Sequence, residues 1–392
     1  MTLEVYLWER LLGRIMPAGY RKIAFEYDPN YDGPCPSPLK MPMGGGLIFG
    51  ELDNYGFPGL ITDALPDNFG NSVWSRWSFR NKIDRHPFTQ LQYLSEHGWG
   101  ALSFRPRKRL GKGATIFLKD FPLIKWIDSL KGDKCYDAFP DQIYQAGWIL
   151  GGTQEKIAVG IHPNDPAHIV IGDVKGFEPW ILKVPQKPQL GRIEHAYQQM
   201  ASRAGIEVSP SRLIEHKEDG VTHVLFATKR FDRNMGEKVH VHTLCGLEGL
   251  PSGLSHIHYQ EFLSIAKMLT GRIRQSEEVL RRTIFNFTCC NGDDHTKNHA
   301  FIMDRQGEWR LSPAYDLTLT SPGEHCMVVA DNGLPPTLTL WRDMGEAVGI
   351  KRGRIDEMYE EVLMAVRQWP AIAMASGLEE EVAQNISKLF VL

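Results

Sequence analysis

The chain has 392 residues and a formal net charge of −3. It is too long for one small core, and it has no global field that would draw it to nucleic acid. No run of about 18 or more uncharged apolar residues occurs, so no membrane span is expected. The N-terminal stretch carries Glu4, Glu9 and Arg10 among its apolar residues and does not read as a secretory signal. Six cysteines without a CxxC then point to free thiols in a reducing cytoplasm.

Residues 3–27 mix short strand-like runs with turn residues, as in a small β-rich module. Pro34, Pro36, Pro38 and Pro42, followed by Gly44, Gly45 and Gly46, predict a loop. No Lys-Ser/Thr follows those glycines, so they are not a Walker phosphate loop. Residues 88–97 have helical periodicity. A basic stretch with Arg105, Arg107, Lys108, Arg109 and Lys112 reads as a solvated loop and linker, or as an anion, substrate or partner contact.

From 147 to about 232 the pattern is strand-like, interrupted by a helix that Gly205 ends. The segment 222–233 is rich in β-formers and predicts a strand. Beyond it the chain turns helical. Residues 259–271 are amphipathic, and a second helix is expected to start at Ser276 as N-cap, with Glu277 and Glu278 in its first turn. Two short strands, 299–304 and 308–312, precede helices at 354–368 and about 378–391.

The most informative segment is Asn291-Gly-Asp-Asp-His-Thr-Lys-Asn298, with Pro313-Ala-Tyr-Asp316 after the two short strands. Phosphoryl transfer asks little covalent chemistry of a protein. It needs a carboxylate to orient the attacking hydroxyl, and oxygen ligands that hold magnesium on the phosphates. Asp293 and Asn298 have the Asp-x-x-x-x-Asn spacing of a protein-kinase catalytic loop. Asp294 competes with Asp293 as the base, and the spacing to Asn298 favours Asp293. Asp316 stands where a second metal carboxylate belongs. The bland reading of the same residues is a polar loop whose side chains cap turns.

Gly151-Gly-Thr-Gln-Glu-Lys156 lies between strand-like runs and offers backbone N–H groups to a phosphate, although two glycines in a hairpin are usually only a turn. Lys183 sits inside the apolar run 180–185, where a lysine is costly to bury unless paired, and Glu194 opens the next helix as its natural partner. The end of the strand at 227–233 is where a hinge holding adenine through backbone groups would lie. Cys289 and Cys290 stand near His295 and His299, but the spacing fits no common structural zinc pattern.

In their order, several of these segments resemble the HipA family, the kinase toxins of bacterial toxin–antitoxin pairs. They are Gly152–Lys156, Lys183 before Val-Pro, Lys229-Arg-Phe-Asp-Arg233, Asp293–Asn298 and Pro313–Asp316. Asp63-Ala-Leu-Pro-Asp67 and Leu94-Ser-Glu-His-Gly98, with Gly100-Ala-Leu102, resemble the family's N-terminal subdomain. The resemblance implies an α+β, protein-kinase-like two-lobe fold: an N-terminal subdomain (1–110), a nucleotide-binding β-rich lobe (111–232) and a helical catalytic lobe (233–392). It implies an ATP- and magnesium-dependent serine/threonine protein kinase with Asp293 as base and Asn298 and Asp316 on magnesium. Gly151, Gly152, Thr153, Gln154, Glu155, Lys156, Lys183, Glu194, Lys229, Arg230, Phe231, His295, Thr296, Lys297, Asn298, Tyr315 and Asp316 would surround the nucleotide. It further implies a protein substrate, which for the best-known member is an aminoacyl-tRNA synthetase, and a DNA-binding antitoxin partner. Ile149 aligns with the family's regulatory serine, so that mode of autoinhibition is not expected; Thr153 is the nearest hydroxyl. The competing readings are a small-molecule phosphotransferase, a non-catalytic pseudokinase and a metal-dependent hydrolase.

Overall fold

The computed structural model describes residues 2–19, 22–50, 56–95, 97–110, 114–131, 139–150, 152–187, 189–234, 236–251, 257–323, 325–329 and 336–392. It forms two compact units. Unit 1 comprises 1–191, 210–242 and 246–249, and unit 2 comprises 192–209, 243–245 and 250–392.

Unit 1 begins with strands β1 (Leu3–Leu7), β2 (Arg10–Pro17), β3 (Ile23–Tyr27), β4 (Ile48–Phe49) and β5 (Leu102–Arg105). They form an antiparallel sheet in the order β4-β3-β2-β1-β5. β1 alternates strictly, with Leu3, Val5 and Leu7 fully buried, so one face of the sheet is core. Helices α1 (Gly59–Thr62), α2 (Asn68–Arg80) and α3 (Pro87–Leu94) lie between β4 and β5 in sequence. The expected helix at 88–97 stops earlier, at Ser95, whose φ of 39° cannot continue it.

After α4 (Leu123–Ser129) and α5 (Asp141–Trp148) comes a second sheet of β6 (Lys156–His162), β7 (Asp165–Ile171), β8 (Glu178–Lys183), β9 (Ser211–Glu218) and β10 (Val221–Lys229). Its order is β7-β6-β8-β10-β9, all antiparallel. Trp148 is therefore the last residue of a helix, not part of a strand. Its indole is buried between Trp74 and Trp77 of α2, at 5.2 and 4.9 Å between ring centres, which anchors α5 on α2. Short strands β11 (Arg233–Asn234), β12 (Glu237–Lys238) and β13 (His240–Thr243) follow.

Unit 2 takes in most of α6 (Leu190–Arg203), the first half of α7 (Leu244–Leu247), then α8 (Tyr259–Thr270), α9 (Ile273–Thr288), the hairpin β14 (Ala300–Met303)–β15 (Trp309–Leu311), α10 (Leu338–Ala347), α11 (Arg352–Arg367), α12 (Trp369–Ala375) and α13 (Glu380–Ser387). Gly271 at φ 65° ends α8, and α9 restarts at once. Ser276 is thus not an N-cap. It lies inside α9, buried, with its hydroxyl donating to the Leu263 carbonyl of α8 at 3.0 Å. The fold is α+β, with a strand-rich unit and a mainly helical one. Among the described residues no helix is long and apolar enough to cross a membrane.

Candidate active site

In unit 2 the loop 291–299 connects α9 to β14. Its first residue is fixed by Asn291 N–H donating to the Asn286 carbonyl at 3.0 Å, and its end by a 3-10 turn over Thr296–Asn298. Asn298 Nδ2 donates to the Asp293 carbonyl at 2.7 Å. That bond occupies the amide's donor end and leaves its oxygen for a cation. The Asp293 side chain is 51% exposed, with His295 Nε2 at 3.6 Å. Past the β14–β15 hairpin, Tyr315 donates its hydroxyl to the Lys297 carbonyl at 2.6 Å, which ties the segment before Asp316 to the loop. Asp316 has φ 58°, a conformation uncommon for a residue with a Cβ and concentrated at functional sites. Asp293, Asn298, Tyr315 and Asp316 line one pocket together with Arg282 and Asn286.

The donors this pocket offers are amide and carboxylate oxygens, the hard ligands magnesium takes, and two protein ligands suffice where phosphates supply others. Zinc fares worse. Among the described residues no three His, Cys, Asp or Glu side chains gather as a metal cage. Cys289 is buried, and burial pushes its thiol well up, away from a thiolate ligand.

Asp294 has a different environment from its neighbour. Its carboxylate is fully buried. Oδ2 accepts from Tyr259 Oη at 2.6 Å and contacts His325 Nδ1 at 3.0 Å; Oδ1 accepts from Cys326 N at 2.7 Å and from Met327 N at 3.3 Å. The network continues backwards. Asn286 Nδ2 donates to Tyr259 Oη at 3.0 Å, Asn291 Nδ2 to Asn286 Oδ1 at 2.8 Å, and Thr318 N to Asn291 Oδ1 at 3.0 Å. The loop, the residues after Asp316 and the segment 325–327 are thereby pinned to α8 and α9. Tyr259, Asn286, Asn291 and His325 were not among the expected site residues. They have no spacing signature, since their partners lie up to 35 residues away.

His299 closes the loop, buried, with no hydrogen-bond partner for Nε2 among the described residues. Burial lowers its pKa from 6.5 to about 4, and burial likewise lowers that of His240 in unit 1 to about 3. Both are neutral when folded, and on unfolding each takes up a proton below its ordinary pKa. Stability should therefore be full above pH 6.5 and fall as pH drops from 6.5 towards 4, by at most about 1.4 kcal/mol per pH unit per histidine. Asp232, held at about 2, adds to the loss only below its ordinary pKa of 3.8. Urea titrations between pH 7 and pH 4.5 check this; a flat stability over that range would contradict it.

In unit 1, Gly151 lies outside the described residues. Gly152 has φ 97°, and a Cβ there would fall 2.1 Å from Lys156 Nζ. Lys156 on β6 stands directly opposite Lys183 on β8, and both are buried. Two lysines at facing positions of adjacent strands concentrate positive charge at this end of the sheet, beside Gly152. Thr153 is exposed and Gln154 half-buried. Glu155 accepts from Gln186 Nε2 at 3.0 Å, with Lys131 Nζ at 3.2 Å. Burial opposes ionisation of Glu155, but these contacts and its backbone hydrogen bond keep its pKa low. Ile149 is buried at the end of α5.

At the end of β10, Lys229 pairs with Glu178 at 2.6 Å, and Phe231 packs edge-on to Trp99, ring centres 5.1 Å apart. Arg230 departs from the expected nucleotide-facing position. Its side chain is fully buried and makes two bonds to Asp232, at 2.8 and 2.7 Å. Asp232 also takes the Gly100 N–H at 3.0 Å and pairs with Arg233, whose Nη2 donates to the Gly98 carbonyl at 2.9 Å. Burial alone would raise the Asp232 pKa, and the two guanidiniums overcome it, holding it at about 2. The basic-acidic-basic run thus locks β10 to residues 98–100. Glu194 belongs to unit 2, buried on α6.

A family model for the HipA-like C-terminal domain matches residues 148–369, and one for the HipA N-terminal domain matches 3–105. A putative kinase of Haemophilus influenzae is 27% identical over 191 residues, 45% of this chain and 54% of that protein. The putative kinase Y4dM of Sinorhizobium fredii is 28% identical over 155 residues, 36% of this chain and 38% of that one. The chain thus spans about half or less of the length of these relatives. Among solved structures, HipA of Shewanella oneidensis, in a complex with HipB and its operator DNA, superposes with a TM-score of 0.71 at 16% identity, covering 99% of this chain and 94% of its own. That likeness shares the fold. With the C-terminal family model covering more than half of the sequence, and the N-terminal one most of the strand-rich start, the chain belongs to the HipA-like kinase family.

Proposed function

We propose that this chain is an ATP- and magnesium-dependent serine/threonine protein kinase, the toxin of a toxin–antitoxin pair working in the cytoplasm. One observation carries the reading. Of the two adjacent aspartates that line the pocket with Asn298 and Asp316, Asp294 is fully buried and hydrogen-bonded into the scaffold, while the Asp293 side chain is half exposed. A base must reach its proton and metal ligands must reach phosphate, and Asp293, Asn298 and Asp316 line one pocket where both could happen.

In this reading Asp293 takes the proton of a serine or threonine hydroxyl as its oxygen bonds to the γ-phosphorus. The bond to the β-phosphate oxygen breaks, and ADP leaves. Asn298 and Asp316 would hold magnesium, which neutralises the charge on the phosphates when bound. Lys183, with Glu194 as partner, Lys156 and the turn at 151–156 would hold the phosphates. Residues 229–231 would meet adenine through the backbone, with His295, Thr296, Lys297 and Tyr315 completing the surround. The Shewanella HipA was solved with HipB and operator DNA, and a DNA-binding antitoxin is the partner proposed here. A component of translation, such as an aminoacyl-tRNA synthetase, is the substrate class proposed.

The test is transfer from γ-labelled ATP in cell lysate with magnesium. A labelled protein supports the reading. Nucleotide binding without any transfer would leave a pseudokinase, and label confined to small molecules a different phosphotransferase. Asp316→Asn should weaken magnesium-dependent nucleotide binding by about tenfold or more, the cost of one lost charge–metal contact. Calorimetry with and without magnesium measures it; an unchanged affinity would remove Asp316 from the metal site.

A further inference from the structure

Asp67 occupies the N-cap of α2, where an aspartate ordinarily accepts from its own helix's first N–H groups. Here the side chain makes no such cap bond. Its Oδ2 accepts instead from the N–H of Gly152, 85 residues away, at 2.8 Å. The grip is two-sided, since Phe69 N–H of the same helical turn donates to the Gly152 carbonyl at 3.4 Å. The approach of the two segments is backbone to backbone. A Cβ on Gly70 would stand 3.1 Å from the Leu150 carbonyl oxygen and 3.2 Å from that of Trp148. The Trp74–Trp77–Trp148 cluster fixes the approach to the turn, and Lys156 Nζ packs against Gly152 from the strand that follows.

We propose that Asp67 is a positioning residue for the glycine-rich turn, giving up its own helix cap to hold the backbone of Gly152. This rests on the kinase reading for its consequence: the turn that would meet the phosphates is shaped by the N-terminal part of the chain. The helical insertion between β4 and β5 is then part of the nucleotide site and not an appendage to it.

The substitution to use is Asp67→Ser. Serine is an equally good N-cap, so α2 keeps its end, but its shorter side chain cannot reach Gly152. Asp67→Asn is the rescue, because its amide oxygen still accepts the Gly152 N–H. In Asp67→Ser, hydrogen exchange of the peptide spanning 149–156 should speed up about tenfold, and the KM for ATP should rise about tenfold with kcat within about twofold, the loss of one charge-assisted bond. Asp67→Asn should restore both, and melting should be unchanged in each. Exchange and KM at wild-type values in Asp67→Ser would overturn the proposal, as would an Asp67→Asn variant as impaired as Asp67→Ser. If the wild-type chain binds no ATP, the kinase reading fails by itself, and exchange at 149–156 still decides whether Asp67 holds the turn.

Discussion

Asp293→Asn is expected to lower phosphoryl transfer by roughly 10²–10⁴-fold, the range for losing a general base, with nucleotide affinity and melting temperature close to wild type. The structure explains why so large a loss should leave the fold untouched. The backbone carbonyl of Asp293 is the group that the scaffold uses, as acceptor for Asn298 Nδ2. Its carboxylate is half exposed, and its ion-pair contact is to His295, itself 35% exposed. Asparagine preserves size and the backbone bond but cannot accept a proton from a hydroxyl. Single-turnover transfer measured beside thermal unfolding separates the two effects. Transfer at the wild-type rate would remove Asp293 as the base; a large fall in melting temperature would mean that its carboxylate has a structural role not visible here.

What the sequence made legible was chemistry that depends on residue type at short spacing. Asp293, Asn298, the two short strands and Asp316 fall in one loop and one hairpin, and the fold brings them to one pocket. The α8 helix was equally readable, because Gly271 ends it by a local backbone preference. Long-range bonding was not readable. Ser276 looks like a cap because nothing local reveals that the Leu263 carbonyl will take its hydroxyl. Arg230 is expected at the nucleotide, but its guanidinium is buried on Asp232, which also takes the N–H of Gly100, 132 residues away. Asp67 sits at a helix start, yet its side chain makes no cap bond there and its oxygen serves Gly152 instead. In each case the deciding bond joins groups distant in the chain: Ser276 to Leu263, Asp232 to Gly100, Asp67 to Gly152. Burial forces such a partner to exist without saying which residue it is.

Asp294→Ala should have the opposite signature to Asp293→Asn: a loss of about 3 kcal/mol or more in stability, with activity falling as a consequence. The carboxylate accepts from Tyr259 Oη and from two backbone N–H groups, those of Cys326 and Met327, and contacts His325 Nδ1. Alanine leaves all of these groups without their acceptor, two of them on the buried residues Tyr259 and Met327, and an unmade bond in the interior costs more than a made one contributes. His325 also stacks on Phe287 of α9, ring centres 3.7 Å apart, so the imidazole cannot swing out to water without breaking an aromatic contact. Asp294→Asn should be intermediate. Its amide oxygen can still take the Cys326 and Met327 N–H groups, while its NH₂ meets Tyr259 and His325 in place of an acceptor. Tyr259→Phe removes one donor and strands Asn286 Nδ2, a loss of about 1–2 kcal/mol. Chemical denaturation of the three variants should therefore rank them Ala, Asn, then Phe in descending damage. If Asp294→Ala instead melted like wild type and lost only transfer, Asp294 would be the chemical aspartate, and the roles given to the two neighbours would have to be exchanged.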